Sequence, residues 1–147
     1  MDWRAEAIEK LQGYESQRQA LDRIPLELER LGAAYTGIRA AKLDGMPRSG
    51  SGASDREEAM VANIVYRDDL KRKLKEARLW VEIVEGGLSA LAEDEQLVLE
   101  LLFMRPAKGN IERLCELLCV EKSTVYHRRD EALRRFTIAL YGTVESA

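Results

Sequence analysis

The feature that most constrains this chain is a pair of helical patterns separated by only three residues. Residues 110–118 (NIERLCELL) form the first pattern and residues 122–141 (KSTVYHRRDEALRRFTIALY) form the second, with residues 119–121 (CVE) between them. In each pattern the main apolar residues recur at spacings of one, three, four or seven, so they share one face of a helix. A short helix, a three-residue turn and a longer helix are the signature of a helix-turn-helix motif.

Burial of the apolar face leaves a polar face at the start of the second helix. The side chains expected inside are Leu114, Cys115, Leu118, Val120, Val125, Ala132, Leu133 and Phe136. In a helix-turn-helix motif, the N-terminal part of the second helix presents its side chains to the major groove of DNA. We therefore predict that the DNA-contacting residues are Lys122, Ser123, Thr124, Tyr126, His127, Arg128 and Arg129.

The same stretch resembles region 4 of sigma-70-type transcription factors. In that family a polar or acidic segment opens a helix of the kind seen in residues 93–99 (EDEQLVL), and a later helix opens in the manner of Ser123-Thr124-Val125. The whole chain is similar to small phage-encoded regulators of the RinA and ArpU type, in which a long helical N-terminal half precedes a sigma-like tail. The resemblance implies a sequence-specific, DNA-binding transcriptional regulator of phage or prophage origin, with RNA polymerase as a candidate partner.

Two residues of the turn depart from that family pattern. Glu121 stands where Ser or Thr usually caps the helix. Glutamate is not a preferred cap, although its charge favours the positive end of the helix dipole. Cys119 stands where the turn often has Gly, and a cysteine would be strained there if its φ were positive.

Composition favours a fold made only of helices. The chain has 147 residues, of which three are proline, and it is rich in Leu, Ala, Glu, Lys and Arg. Those five residue types are good helix formers. No apolar run reaches the length of a membrane span, and the acidic, amphipathic start (MDWRAEAIEKLQ) does not resemble a signal peptide. We therefore expect an all-α, cytoplasmic protein that does not enter a membrane.

Charge is distributed unevenly along the chain. The net charge of −3 counts against binding of nucleic acid by the chain as a whole, but residues 122–141 carry five basic and two acidic side chains, a net charge of +3. A local basic face is sufficient for contact with phosphate. A second basic run, in residues 71–78, has two interpretations: a solvated helix face offset by nearby acidic residues, or a second phosphate contact.

The predicted organisation is a long helical hairpin followed by a C-terminal module similar to sigma-70 region 4. Its segments are residues 1–43 (N-terminal helices), 44–55 (a Gly- and Ser-rich linker), 56–87 (a long helix) and 88–147 (the helix-turn-helix module). Pro25 is expected to break the first segment near residues 22–24, because proline has no N–H to donate. Gly86 and Gly87 are expected to end the long helix and to act as a hinge.

The long helix carries an apolar stripe that needs a partner. Its members are Val61, Ile64, Val65, Leu70, Leu74, Ala77, Val81 and Val84. We expect this stripe to pack antiparallel against residues 25–43, whose own apolar side chains recur at gaps of three and four (Leu28, Leu31, Tyr35 and Ile38). The two stripes exceed what one hairpin can hide, so the sequence also predicts a homo-oligomer, with a dimer as the simplest form.

No pattern typical of catalysis or cofactor binding is present. The chain has one histidine and two cysteines, too few ligands for a zinc site. Cys115 and Cys119 are interpreted as small apolar side chains. A Gly-Ser-Gly sequence at residues 50–52 lacks the preceding strand that a phosphate-binding loop requires. We therefore predict no enzymatic activity, no metal and no cofactor.

Two other classes of protein fit the same pattern. A phage terminase small subunit, which recognises DNA for packaging, also joins a helix-turn-helix motif to helical oligomerisation segments. A structural coiled-coil protein could carry the motif as an accident of packing. A ring-shaped assembly that binds only at a packaging site would favour the terminase, whereas failure to bind any DNA at low salt would favour the coiled coil.

Overall fold

The described part of the chain is built from five α-helices. The computed structural model describes residues 1–43 and 51–145. The helices are α1 (Trp3–Leu43), α2 (Ser51–Ser89), α3 (Glu93–Leu99), α4 (Asn110–Leu118) and α5 (Lys122–Tyr141), and α3 continues into a π-helical turn at Glu100–Met104. No strand occurs among the described residues, so the predicted all-α class is confirmed for that part of the chain.

Helix α1 runs through Pro25 without interruption, so the predicted break near residues 22–24 is wrong. A proline inside a helix removes one hydrogen bond and costs about 3 kcal/mol or more. Two features reduce the disturbance here: the ring of Pro25 lies on an exposed part of the helix, and the helix is held on either side by the buried side chains of Leu11 and Leu31. Packing of the flanking turns therefore outweighs the local preference of proline.

Helix α2 is longer at both ends than the sequence predicts. It begins at Ser51, inside the predicted linker, and the rest of that linker (residues 44–50) lies outside the described residues. At the other end α2 passes through Gly86 and Gly87 and stops at Ser89, so the predicted hinge is wrong. Gly87 is buried because a neighbouring helix approaches it closely: an added Cβ would lie 2.7 Å from Cε2 of Phe136.

The chain divides into two compact units that differ from the segments predicted from the sequence. One, here called the terminal unit, comprises Met1–Arg18 and Leu79–Ala147, and the other, the middle unit, comprises Gln19–Arg78. The start of α1 thus belongs with the C-terminal helices. A sequence boundary at residue 87 or 88 misses this arrangement, because the helix that crosses it is continuous.

In the middle unit α1 and α2 pair in antiparallel directions, as predicted. The side-chain amide of Asn63 donates a hydrogen bond to the carbonyl oxygen of Leu31 at 2.9 Å, and Nη1 of Arg56 donates one to the carbonyl oxygen of Ala41 at 3.2 Å. One residue number falls as the other rises, which defines the antiparallel sense. Within this unit Leu31, Leu70 and Ala77 are buried.

The first half of the predicted α2 stripe does not face α1. Val61, Ile64 and Val65 are 60%, 40% and 61% exposed, whereas the polar side chain of Asn63 is buried in their place. The reason is geometric: at 3.6 residues per turn, Val61 lies half a revolution from Leu70. The eight apolar residues therefore occupy two faces, and only the later members, from Leu70 onward, turn inward. An apolar patch of Val61, Ile64 and Val65 is left on the opposite side of α2.

The terminal unit has one main hydrophobic cluster that joins α1 and α2 to α5. The buried members are Ala7, Leu11, Val84, Leu91, Leu99, Met104, Ala132, Leu133 and Phe136. Polar contacts fix the same pairing: the indole N–H of Trp80 donates to the carbonyl oxygen of Lys10 at 2.9 Å, and the hydroxyl of Tyr14 donates to Glu85 at 2.7 Å. Partial burial, together with the Glu85 carboxylate, raises the pKa of Tyr14 to about 12. Residues 3–18 thus form part of the platform on which α5 rests.

Candidate nucleic-acid interface

A three-residue turn joins α4 to α5 and has the limits that the sequence predicts. Helix α4 ends at Leu118, and α5 begins at Lys122. Cys119 adopts a left-handed conformation with φ 55° and ψ 47°, and the amide of Val120 donates to the carbonyl oxygen of Cys115 at 3.1 Å. Glu121 is extended and makes no side-chain cap. The turn is therefore closed by the backbone of Cys119, at a conformation that a non-glycine residue adopts at a cost.

A small hydrophobic cluster lies beneath the turn. Val98, Leu114 and Val125, from α3, α4 and α5 respectively, are each fully buried. Seven partly buried side chains surround them: Leu97, Leu101, Leu102, Ile111, Cys115, Leu118 and Val120. The predicted inward positions of α4 and of the turn are confirmed, and α3 supplies the third side of the cluster. Burial of one side of α5 at Val125 determines which of its side chains face outward.

The entry into α4 is held by an asparagine that the sequence reasoning did not identify. Asn110 is buried, and its side-chain amide donates to the carbonyl oxygens of Leu101 at 2.7 Å and Arg105 at 3.0 Å. The Leu101 carbonyl lies within the π-helical turn and the Arg105 carbonyl directly follows it, where the amide of Arg105 also bonds to the carbonyl oxygen of Glu100. Asn110 therefore fixes α4 relative to α3. Its place at the first position of a predicted helix was the available signal, because asparagine favours helix starts.

The front of α5 carries three exposed polar side chains. Lys122, Ser123 and His127 are exposed, and within the described residues none of their side chains makes a hydrogen bond or an ion pair. Ser123 and His127 are four residues apart, so they share a helical face, and that face is turned away from Val125. These are three of the seven predicted DNA-contacting residues, and their side chains are accessible to a ligand.

Thr124, Tyr126 and Arg129 are only partly available to a ligand. Thr124 is half-buried, while Tyr126 is exposed at its edge. The guanidinium carbon of Arg129 lies 5.1 Å from the centre of the Tyr126 ring, and its nitrogens contact Oδ1 of Asp130 at 3.1 and 3.2 Å. Both the aromatic ring and the carboxylate attract the guanidinium of Arg129 to its own helix, although each of these exposed contacts is weak. Arg129 would have to leave Asp130 before it could bind phosphate with its full charge.

Arg128 is directed toward α3. Its guanidinium lies 3.7 Å from the carboxylate of Asp94, and about two turns further along, Arg135 contacts Glu95 at 3.1 Å and Glu131 at 3.2 Å. These side chains, together with Ala92, line a shallow polar pocket of about 330 Å³ between α3 and α5. The acidic first turn of α3 thus neutralises part of the positive charge of α5.

The ion pairs revise the charge balance of the candidate interface. Residues 122–141 have a net charge of +3 when counted alone. Asp94 and Glu95 pair with arginines of this segment, and their inclusion lowers the local net charge to +1. Lys122 is then the one lysine or arginine of α5 without an ion pair among the described residues. Spacing along the chain could not show the pairs with Asp94 and Glu95, because these two carboxylates lie on a different helix.

Other kinds of site receive no support from the described residues. Among them, no group of His, Cys, Asp and Glu side chains is arranged to hold a metal ion. Cys115 is half-buried, Cys119 is exposed, and both are free thiols. None of the helices in residues 1–43 and 51–145 is long and apolar enough to span a bilayer.

Comparison with known proteins adds no relative. Neither the protein-family models, nor the curated proteins, nor the solved structures contain a match to this chain.

Proposed function

We propose that this chain is a sequence-specific, double-stranded DNA-binding transcriptional regulator, similar to sigma-70 region 4, and that the front of α5 reads its site. The observation that carries the proposal is the division of α5 into two faces next to a three-residue turn. Val125, Ala132 and Phe136 are fully buried on one face, while Ser123 and His127 stand unpaired on the other. A helix supported in this way can enter a major groove with its N-terminal residues leading.

The side chains of this front divide into two roles. Ser123 and His127 are exposed and can donate to or accept from base edges, with half-buried Thr124 beside them. Lys122 has no ion pair to give up, so it is suited to a phosphate. Arg128 would serve as a phosphate contact or a guanine contact once it leaves Asp94. Arg129 and Tyr126 would act as one stacked unit at the edge of the surface.

Self-association forms part of the proposal. A monomer would present one recognition helix with a small local charge, and phosphate neutralisation supplies most non-specific affinity. Two copies would place two such helices on paired half-sites. The exposed patch of Val61, Ile64 and Val65 on α2 supports pairing between copies, because three neighbouring apolar side chains are left uncovered there.

Selection from a library of random duplexes, followed by titration, tests the proposal. We expect Ser123→Ala and His127→Ala to lose about 1–3 kcal/mol on the selected site and to relax base preference at single positions. Lys122→Ala should weaken binding to every sequence alike and make the dependence of log K on log salt shallower by about one. Gln12→Ala, an exposed polar change elsewhere on the terminal unit, is the matched control.

Three outcomes would redirect the assignment. If His127→Ala and Thr124→Ala leave affinity and preference as they are in the wild type, then α5 does not read the DNA. If the selected sequence is bound only by a ring-shaped assembly, the terminase small subunit is the better description. If no duplex binds at low salt, the chain has a structural role.

A further inference from the structure

A row of unpaired cations lies on α2, outside the candidate interface. Lys71, Lys75 and Arg78 are exposed and are separated by four and three residues, so they occupy one helical face. Together with Arg72 and the half-buried Leu74, they border a shallow depression of about 390 Å³. All of these residues belong to the middle unit.

The neighbouring cations of the same segment are neutralised, which sets this row apart. Arg72 pairs with Asp69 and approaches Glu76 at 3.8 Å, and Lys73 contacts Asp69 at 3.4 Å. By contrast, no side chain among residues 1–41 and 54–145 forms an ion pair with Lys71, Lys75 or Arg78. The three cations of the row therefore keep their charge available for a ligand.

We propose that Lys71, Lys75 and Arg78 form a surface that binds the phosphate backbone of double-stranded DNA, an inference that rests on the proposed function. Seven residues of helix span about 10 Å, and a DNA duplex presents one negative charge for about every 1.7 Å of its axis. The row can therefore face several phosphates at once. Long side chains with only donor groups, mounted on one rigid helix, suit phosphate contact that is independent of sequence.

Salt titration of the full-length chain separates this surface from α5. The test variant replaces all three residues (K71Q/K75Q/R78Q), and the matched control removes three exposed arginines from α1 (R4Q/R23Q/R39Q). For the test variant we expect log K against log salt to become shallower by two to three, with a fall of tenfold or more in affinity at moderate salt. The ratio of specific to scrambled binding should stay at the wild-type value.

The outcomes distinguish failure of this contact from failure of the proposed function. If the salt dependence of the test variant equals that of the wild type, or if the control loses as much, the row does not contact DNA, although the α5 variants still show DNA reading. If phosphatidylserine vesicles capture the wild type but not the test variant while DNA binding is unchanged, the surface binds lipid instead. If the wild type binds no DNA, both proposals fall. Circular dichroism of each variant excludes unfolding as the cause of a loss.

Discussion

The carboxylate of Asp94 lies 3.7 Å from the guanidinium of Arg128, so α3 holds one of the arginines that the sequence assigns to DNA contact. Both side chains are well exposed, 69% for Asp94 and 42% for Arg128. An exposed pair of this kind contributes roughly 0–1 kcal/mol. The contact is therefore weak enough for DNA phosphate to displace, yet it reduces the charge that the free protein presents.

Replacement of Asp94 by Asn should strengthen DNA binding. The substitution frees Arg128 and removes a negative charge that faces the duplex, so we expect an increase in affinity of up to about fivefold, or ~1 kcal/mol. Glu93→Gln is the matched control, because it removes the same charge from the adjacent residue, for which no ion pair is described. Equal gains from both variants would show that net charge alone is responsible, and a gain that persists in an Arg128→Ala background would exclude Arg128 as the cause.

Gly87 and Gly86 should respond in opposite ways to alanine. A Cβ at Gly87 would lie 2.7 Å from Phe136 and 2.8 Å from Leu140, whereas one at Gly86 meets no atom within 4 Å. We expect Gly86→Ala to raise the free energy of unfolding by about 0.5–1 kcal/mol through helix propensity. Gly87→Ala should instead be less stable than Gly86→Ala by about 1–3 kcal/mol, because the core must shift. Urea unfolding measures both, and equal stabilities would contradict the close approach of α5 to α2.

Glycine at position 119 should stabilise the turn. Cys119 is the one non-glycine residue with positive φ in the described chain, and that conformation costs an L-residue about 1–2 kcal/mol. Cys119→Gly removes this cost and adds some entropy to the unfolded chain, so a net gain of about 0.5–1 kcal/mol is expected. Cys119→Ala removes the thiol without relieving the backbone and should bring no such gain. Thermal unfolding of both variants shows whether a gain in stability comes from relief of backbone strain or from loss of the thiol.

The exposed patch on α2 should control self-association. We expect the wild type to sediment as a dimer at tens of micromolar, and Val61→Lys with Val65→Lys to shift it to a monomer, because two charges would be buried without partners. Ala33→Lys introduces one of these charges at an exposed position of α1 and should leave the dimer intact. A monomeric wild type would count against the predicted oligomer, and a double variant that still dimerises would place the interface elsewhere.

Local patterns predicted the elements around the turn well. The ends of α4 and α5 agree with the sequence to the residue, because the apolar spacing changes phase across Cys119–Glu121 and each helix buries one face. The predictions at Pro25 and Gly87 were wrong because both rested on the local conformational preference of one residue. Tertiary packing overrides that preference at both positions. Glycine is needed at position 87 because Phe136 packs close to the backbone there, and not because the backbone bends.

The electrostatics of the candidate site could not be predicted from spacing. Asp94 and Arg128 lie on separate helices, and whether they meet depends on how α3 packs against α5. The same limit applies to the α2 stripe, where eight apolar residues gave a plausible face although Val61 and Leu70 point in opposite directions. Angular position, at 100° per residue, separates those two faces.

The close packing of Phe136 against Gly87 also limits how α5 could contact a DNA duplex. The rear of this unbroken 20-residue helix is seated against α2, while its front carries the polar face. Helix α5 cannot tilt to improve its fit to DNA, because a tilt would press the ring of Phe136 into the backbone of α2 in a close-packed core. Adaptation would then fall on the DNA, whose groove width and bendability vary with sequence. Base pairs that α5 never touches would in that case influence which sites it occupies.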